Sequence, residues 1–422
     1  MLLVVLIIIW FIIDLIRYFY YIKSCDIINN YTFTRTLNHT NIVKMLEDMK
    51  KYPDVLKNTI EHIFYSSVRL EDMNFSDVCN SLLNLVNNDK QYIDTIGIMV
   101  SDLQKYEKQV NNRSIFMGNT YHKRMYNNYT DIKSWFFILP LYLLTTFLRI
   151  LIHRYMICIG YKQCTTKNGI KIWYSDYDAI KGDIVVFFHS SLGGTVTQYN
   201  LLWYFFKEYN IIMPEIPGIS FIWLQKSHYP PTIDNITDDV NDFIGTYYKN
   251  SDTEQYNISP PKVNIIGHSI GSTICSAYLN KYPNNIDNFF CIEGQIFFNG
   301  SVKVYELFNS DLSKLDFFEM LSVPLFHRYL YTQFFIHRYI HPDKCCIYDL
   351  NEDNNKHIKI HMFHVNNDTT VYIKPQIDYA FNKKIPVSYY ITQSDNKHGS
   401  FVTDRQYQNK TIRIIHKILH KF

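Results

Sequence analysis

Val263-Asn264-Ile265-Ile266-Gly267-His268-Ser269-Ile270-Gly271 decides how the rest of this chain is read. Residues 263–267 form the apolar, β-branched run that fills a strand buried on both faces. Residues 270–282 read as a helix, and Pro283 stops it. Strand therefore passes into helix across a GxSxG sequence. A turn that sharp forces its central residue into a strained backbone conformation. The residues two places to either side must be small, because strand and helix nearly touch there. The outcome is a serine held clear of the chain, as a nucleophile requires.

The same alternation extends outward. Residues 169–174, 183–189, 211–215, 288–293, 358–365 and 387–391 read as strands, and residues 198–208 and 238–248 as helices. Strands alternating with helices predict an α/β fold built on a mostly parallel sheet. Residues 295–356 interrupt the pattern with helical sequence rich in Phe, Tyr and Leu, including Phe317, Phe318, Leu321, Phe326, Tyr329, Phe334 and Phe335. This insertion is read as a lid, able either to line an apolar acyl site or simply to pack on the core.

The full chain has 422 residues, 47% hydrophobic and 19% charged, which excludes a disordered protein. A formal net charge of +3 argues against a nucleic-acid partner. The 8 cysteines contain no CxxC pair, so zinc ribbons and dithiol redox motifs are excluded. His337, His341 and Cys345 recur at helical spacing, but Pro342 inside the run is expected to break the helix, and no metal site is expected. His357, His361 and His364 read as ordinary strand residues.

Residues 1–13 carry no charge, and neither a basic start nor a small-residue cleavage site is visible. Residues 1–23 are therefore expected to form a membrane anchor, with Asp14 and Arg17 near its far end. Residues 134–164 form a second hydrophobic segment, expected to contact membrane lipid. It could span, lie in the interface plane, or sit as a helix under the catalytic domain; Arg149 and His153 would share one of its faces. Residues 24–133 read as amphipathic helices, with Ile42, Leu46 and Met49 behind Thr40 and Val78, Leu82 and Leu85 behind Ser76. This region is expected to act as a helical spacer or docking element. Its Asn-x-Ser/Thr sequences, such as Asn74-Phe75-Ser76, arise easily in an Asn-rich chain.

From the strand–GxSxG–helix unit and the alternation around it, residues 165–422 resemble the α/β-hydrolase family of serine hydrolases. More loosely, the whole chain resembles a group of membrane-anchored members with a helical leader before the hydrolase domain. The resemblance implies the chain order nucleophile, acid, histidine. Ser269 is then the nucleophile. His398, in the loop after the last strand and followed by Gly399, Ser400 and Phe401, is the implied base. Asp368, in the polar turn after residues 359–364, is the implied acid, with Glu293 at the end of residues 288–293 as the alternative. The oxyanion hole would use the backbone N–H groups of Ile270 and Ser191, with Ser190 as the backup. The His189-Ser190 sequence departs from the His-Gly of many relatives. Gly193, Gly194, Gly218, Gly267, Gly271 and Gly399 also fall at family-like positions.

These readings predict a membrane-associated serine hydrolase that cleaves a hydrophobic carboxylic ester or lipid through an acyl-enzyme, without metal or organic cofactor. Acyl transfer by the same triad, and a non-catalytic binding role for the fold, are the alternatives.

Overall fold

A computed structural model describes residues 2–29, 39–51, 71–86, 89–117, 139–176, 183–190, 208–220, 229–249, 262–297, 342–347, 357–366, 373–392 and 398–420, with isolated positions 53, 56, 57, 60, 178, 350, 368 and 371 between them. Its strands are β1 (Lys162–Thr165), β2 (Lys171–Tyr174), β3 (Ile184–Phe188), β4 (Asn210–Glu215), β5 (Val263–His268), β6 (Ile286–Ile292), β7 (Lys359–Val365) and β8 (Val387–Thr392). They form one sheet in the order β1-β2-β4-β3-β5-β6-β7-β8. β2 runs antiparallel to β1 and β4; the remaining pairs are parallel. β1 overlaps the end of residues 134–164, where sequence pattern had suggested only a hydrophobic segment. Its side chains are mostly exposed, so it carries little apolar signal.

The described helices are α1 (Leu2–Asn29), α2 (His39–Lys51), α3 (Phe75–Leu85), α4 (Ile93–Val110), α5 (Leu139–Cys158), α6 (Ile233–Lys249), α7 (Ile270–Lys281), α8 (Pro342–Cys345), α9 (Ile373–Asn382), α10 (Ser400–Thr403) and α11 (Arg405–Leu419). α6 begins at Ile233 rather than at 238. Thr232 and Asn235 cap it reciprocally, each backbone N–H donating to the other's side-chain oxygen at 3.2 Å. Pro342 opens α8, because a first-turn position needs no N–H.

All five residues of β3 are buried, and they alternate between two cores. Ile184, Val186 and Phe188 face a cluster shared with Ile274 and Leu279 of α7 and Val240 of α6. Val185 and Phe187 face the other, with Met156 of α5 and Tyr407, Ile412 and Ile415 of α11. Covering both faces lets the central strands be continuously apolar.

The leader is part of this core rather than a spacer. Ile42, Leu46 and Met49 of α2 and Val78 and Leu82 of α3 belong to the same buried cluster as Ile172 and Ile265. Asp48 of α2 accepts from Tyr379 Oη of α9 at 2.5 Å and pairs with Lys383.

The two segments read as membrane-associated form α1 and α5. Among the described residues no helix is long and apolar enough to cross a membrane. The side chains of residues 1–9, the apolar half of the expected anchor, lie outside the described ones. From Trp10 onward α1 carries Asp14 bonded to Arg17 at 2.7 Å and to Trp10 Nε1 at 3.0 Å. α5 is a helix packed on the sheet. Arg149 Nε donates to Glu215 Oε1 at 3.2 Å, and His153 Nε2 lies 3.4 Å from the same oxygen. Burial would raise the Glu215 carboxyl, but His153 and Arg149 outweigh it and bring it down to about 2. The shared face inferred for Arg149 and His153 is thus committed to the end of β4.

Most of the expected lid, including its seven named aromatic and leucine residues, lies outside the described residues. At its base, Ile347 N donates to Ile296 O at 2.7 Å, so the ends of the insertion are tied together.

Candidate active site

The turn between β5 and α7 has the mechanics its sequence demands. Ser269 sits at φ 53°, ψ −119°, a conformation L-residues rarely adopt. A Cβ on Gly267 would lie 2.5 Å from Ser272 Cα, and one on Gly271 would lie 2.1 Å from Phe188 O. Both glycines are therefore fixed by backbone packing, the second against the exit of β3. Ser269 N donates to Ile292 O at 2.8 Å, and Ser272 N to Ser269 O at 2.9 Å, which holds the strained residue from both sides.

The C-terminal ends of β5, β7 and β8 bring three of the sequence-predicted residues into line. Ser269 Oγ lies 3.0 Å from His398 Nε2, and His398 Nδ1 lies 3.1 Å from Asp368 Oδ2. With the proton on Nδ1, the ring donates to Asp368 and accepts from the serine hydroxyl. The carboxylate is itself fixed, since Val371 N donates to Asp368 Oδ1 at 2.9 Å and Asp368 N to Val365 O at 3.2 Å. Burial opposes the charge on Asp368, but His398 outweighs it and holds the carboxyl below its ordinary range. Burial likewise pulls His398 down, while Asp368 and, less strongly, Glu293 carry it up to about 9. His364, buried on β7 beside this group, is pushed down to about 4 by burial and stays neutral.

Glu293, the alternative acid, does not reach the His398 ring by any described hydrogen bond. Its Oε2 lies 3.2 Å from His268 Nε2 and accepts from Gly399 N at 2.9 Å, while Oε1 accepts from Phe401 N at 3.0 Å. Sequence reading weighed Glu293 as the alternative to Asp368. It missed the contacts to His268 and to the chain after His398. Nothing in the spacing of residues 268, 293 and 399 signals that they meet, because the sheet alone brings them together.

Of the expected oxyanion donors, Ile270 opens α7, where first-turn N–H groups have no partner inside the helix. Ser191 lies outside the described residues. Ser190 is buried at the exit of β3. His189 fixes that exit: its Nδ1 donates to Ser190 O at 2.8 Å, and its Nε2 accepts from Ile216 N at 3.1 Å and Ser220 Oγ at 2.9 Å. Burial lowers the His189 pKa, which suits a ring that must keep one nitrogen as an acceptor. Among the described residues no group of three or more His, Cys, Asp or Glu could hold a metal ion.

Residues 183–327 match the family model described as alpha/beta hydrolase fold. No curated protein matches the chain in sequence. Solved structures with a similar fold include a carboxylesterase from Nitrososphaera gargenis, 15% identical, covering 61% of this chain and 98% of its own at a TM-score of 0.44. Carboxylesterase CesB from Bacillus subtilis is 12% identical, covering 67% and 100% at 0.44. Naproxen esterase from the same organism is 12% identical, covering 66% and 97% at 0.43. Likenesses of this depth leave chemistry and substrate to be argued from the chain's own residues.

Proposed function

We propose that this chain, residues 183–327 of which match the alpha/beta hydrolase fold model, is a serine hydrolase of hydrophobic carboxylic esters or lipids, with Ser269, His398 and Asp368 as its triad. The 3.0 Å contact between Ser269 Oγ and His398 Nε2, at the tip of a left-handed turn, carries the reading. In the first step Ser269 Oγ attacks the ester carbonyl as His398 Nε2 takes its proton, and Asp368 stabilises the imidazolium that forms. The backbone N–H groups of Ile270 and Ser191 donate to the carbonyl oxygen as it becomes negative. The imidazolium then protonates the departing alkoxide, leaving an acyl-serine. Water, deprotonated by the same nitrogen, attacks the acyl carbon and frees the carboxylic acid and Ser269. No step calls on a metal or organic cofactor.

The apolar substrate class is supported by the Phe-, Tyr- and Leu-rich sequence of residues 295–356. A fluorophosphonate should label the purified protein, and turnover should rise along a series of p-nitrophenyl esters from acetate towards long acyl chains. A folded protein that neither reacts with the probe nor cleaves any member of the series overturns the reading.

Membrane lipid is the proposed partner and the membrane the proposed location. The motive is exposed apolar surface on two helices that touch one another: Trp10, Phe11 and Phe19 on α1, and Leu143, Phe147 and Ile150 on α5. Such faces suit attachment in the plane of the interface. The protein should float with phosphatidylcholine vesicles in high salt, and deletion of residues 1–23 should weaken that binding. Full-length protein left at the bottom of the gradient refutes it.

A further inference from the structure

Glu293 is a fully buried carboxylate, and a charge so placed is costly unless its hydrogen bonds are supplied. Its bonds come from two places. His268, one residue before the nucleophile, approaches Oε2; Gly399, one residue after the imidazole, donates to the same oxygen, and Phe401 donates to Oε1. The residue is held at φ 48°, left-handed backbone that a glutamate adopts only under constraint, and Glu293 N donates to Phe363 O at 2.8 Å. The carboxylate thus stands on the end of β6, between the two strand ends that carry the nucleophile turn and the acid. Gly399 itself has φ 90°, so the chain after His398 turns sharply, and Glu293 grips that turn.

We infer that Glu293 is a positioning residue, which fixes the reach of the His398 imidazole to Ser269 by clamping the backbone on its C-terminal side, while Asp368 fixes the ring's tautomer and rotation. This rests on the triad reading of the preceding section. Two carboxylates then serve one histidine by different routes, Asp368 through the ring and Glu293 through two amides. Phe401, whose amide is held, packs against His268 with ring centroids 5.1 Å apart, so the clamp and the nucleophile turn are one packed unit.

The groups that face His398 among the described residues are Asp368 and His364 on and after β7, Ser269 on the nucleophile turn and Glu293 after β6. Tyr407 of α11 stands near both carboxylates, and His268 stands behind Glu293. Of these only Asp368 and Glu293 are anionic. The negative charge of Glu293 also favours protonated His398, which gives the clamp a second signature besides geometry.

Hydrogen exchange read by mass spectrometry tests the clamp without requiring turnover. In Glu293→Gln an amide NH₂ replaces one acceptor, so peptides holding Gly399 and Phe401 should exchange about tenfold faster, while β5 and α7 keep their protection. Asp368→Asn should leave those two amides unchanged. In turnover assays Glu293→Gln should lower kcat by about 10- to 100-fold with little change in KM, and should move the acid limb of kcat/KM to lower pH. Glu293→Asp keeps the charge but shortens the reach. It should raise exchange at the same amides while leaving the acid limb in place, and it answers the question should the Gln variant not fold. Unchanged exchange at residues 399–401 in a folded variant overturns the clamp. If the wild type is neither labelled nor active, the triad reading fails, and the exchange result still decides whether Glu293 holds this loop.

Discussion

Ser269→Ala is expected to abolish fluorophosphonate labelling and to lower ester turnover by about 10⁵- to 10⁶-fold, with the fold intact. Alanine removes one oxygen from a residue whose backbone conformation is set by its neighbours. Ser269 N still donates to Ile292 O, and Gly267 and Gly271 still admit the close approach of Ser272 and Phe188. Loss of activity with an unchanged melting curve therefore isolates the hydroxyl. What remains is the rate from substrate binding and the N–H groups at the start of α7. A Ser269→Ala variant that keeps labelling and turnover would remove this residue from the chemistry.

Asp368→Asn should cost about 10³- to 10⁴-fold in kcat. The asparagine can present its NH₂ to His398 Nδ1, which favours the tautomer with the proton on Nε2, the wrong side for accepting from Ser269. It also removes the largest influence that raises His398. The working form of the imidazole is the neutral one, so kcat/KM in the wild type climbs as pH rises through the His398 pKa, about 9. Without the Asp368 charge that limb should move down, towards the range of an unperturbed histidine near 6.5. A pH profile with the limb unmoved, or a smaller loss than in Glu293→Gln, would transfer the acid role to Glu293.

The fold was legible where one side-chain type dominates one element. β3, β5 and β7 announced themselves as apolar runs because they are buried on both faces, and the GxSxG turn because glycine alone fits where the Cβ positions collide. β1 was hidden because it lies at the sheet edge with mostly exposed side chains. The run containing α5 looked like a membrane segment because its outer face is apolar; the burial of Met156 and the approach of Arg149 and His153 to Glu215 assign the inner face to the sheet. The line from Ser269 to Asp368 follows the chain order of the family. The contact of Glu293 with Gly399 and Phe401 does not, because backbone N–H groups leave no mark on sequence.

Asp48 meets Tyr379 across 331 residues of chain. The contact sets a schedule on the ribosome. At roughly 5–20 residues per second, the leader emerges on the order of 15 to 65 seconds before its partner helix has been made. Until the strands have been made Ile42, Leu46 and Met49 have no sheet to rest on, and a closed core must wait until nearly all of the chain has been synthesised. Long-range closure of this kind is slow even after release, since loop entropy is spent before the contact repays it. The nascent chain is thus a natural client for a chaperone that shields apolar helices. A hydrolase domain made without its leader would expose the apolar surface that α2 and α3 share with it, and would be expected to aggregate rather than fold.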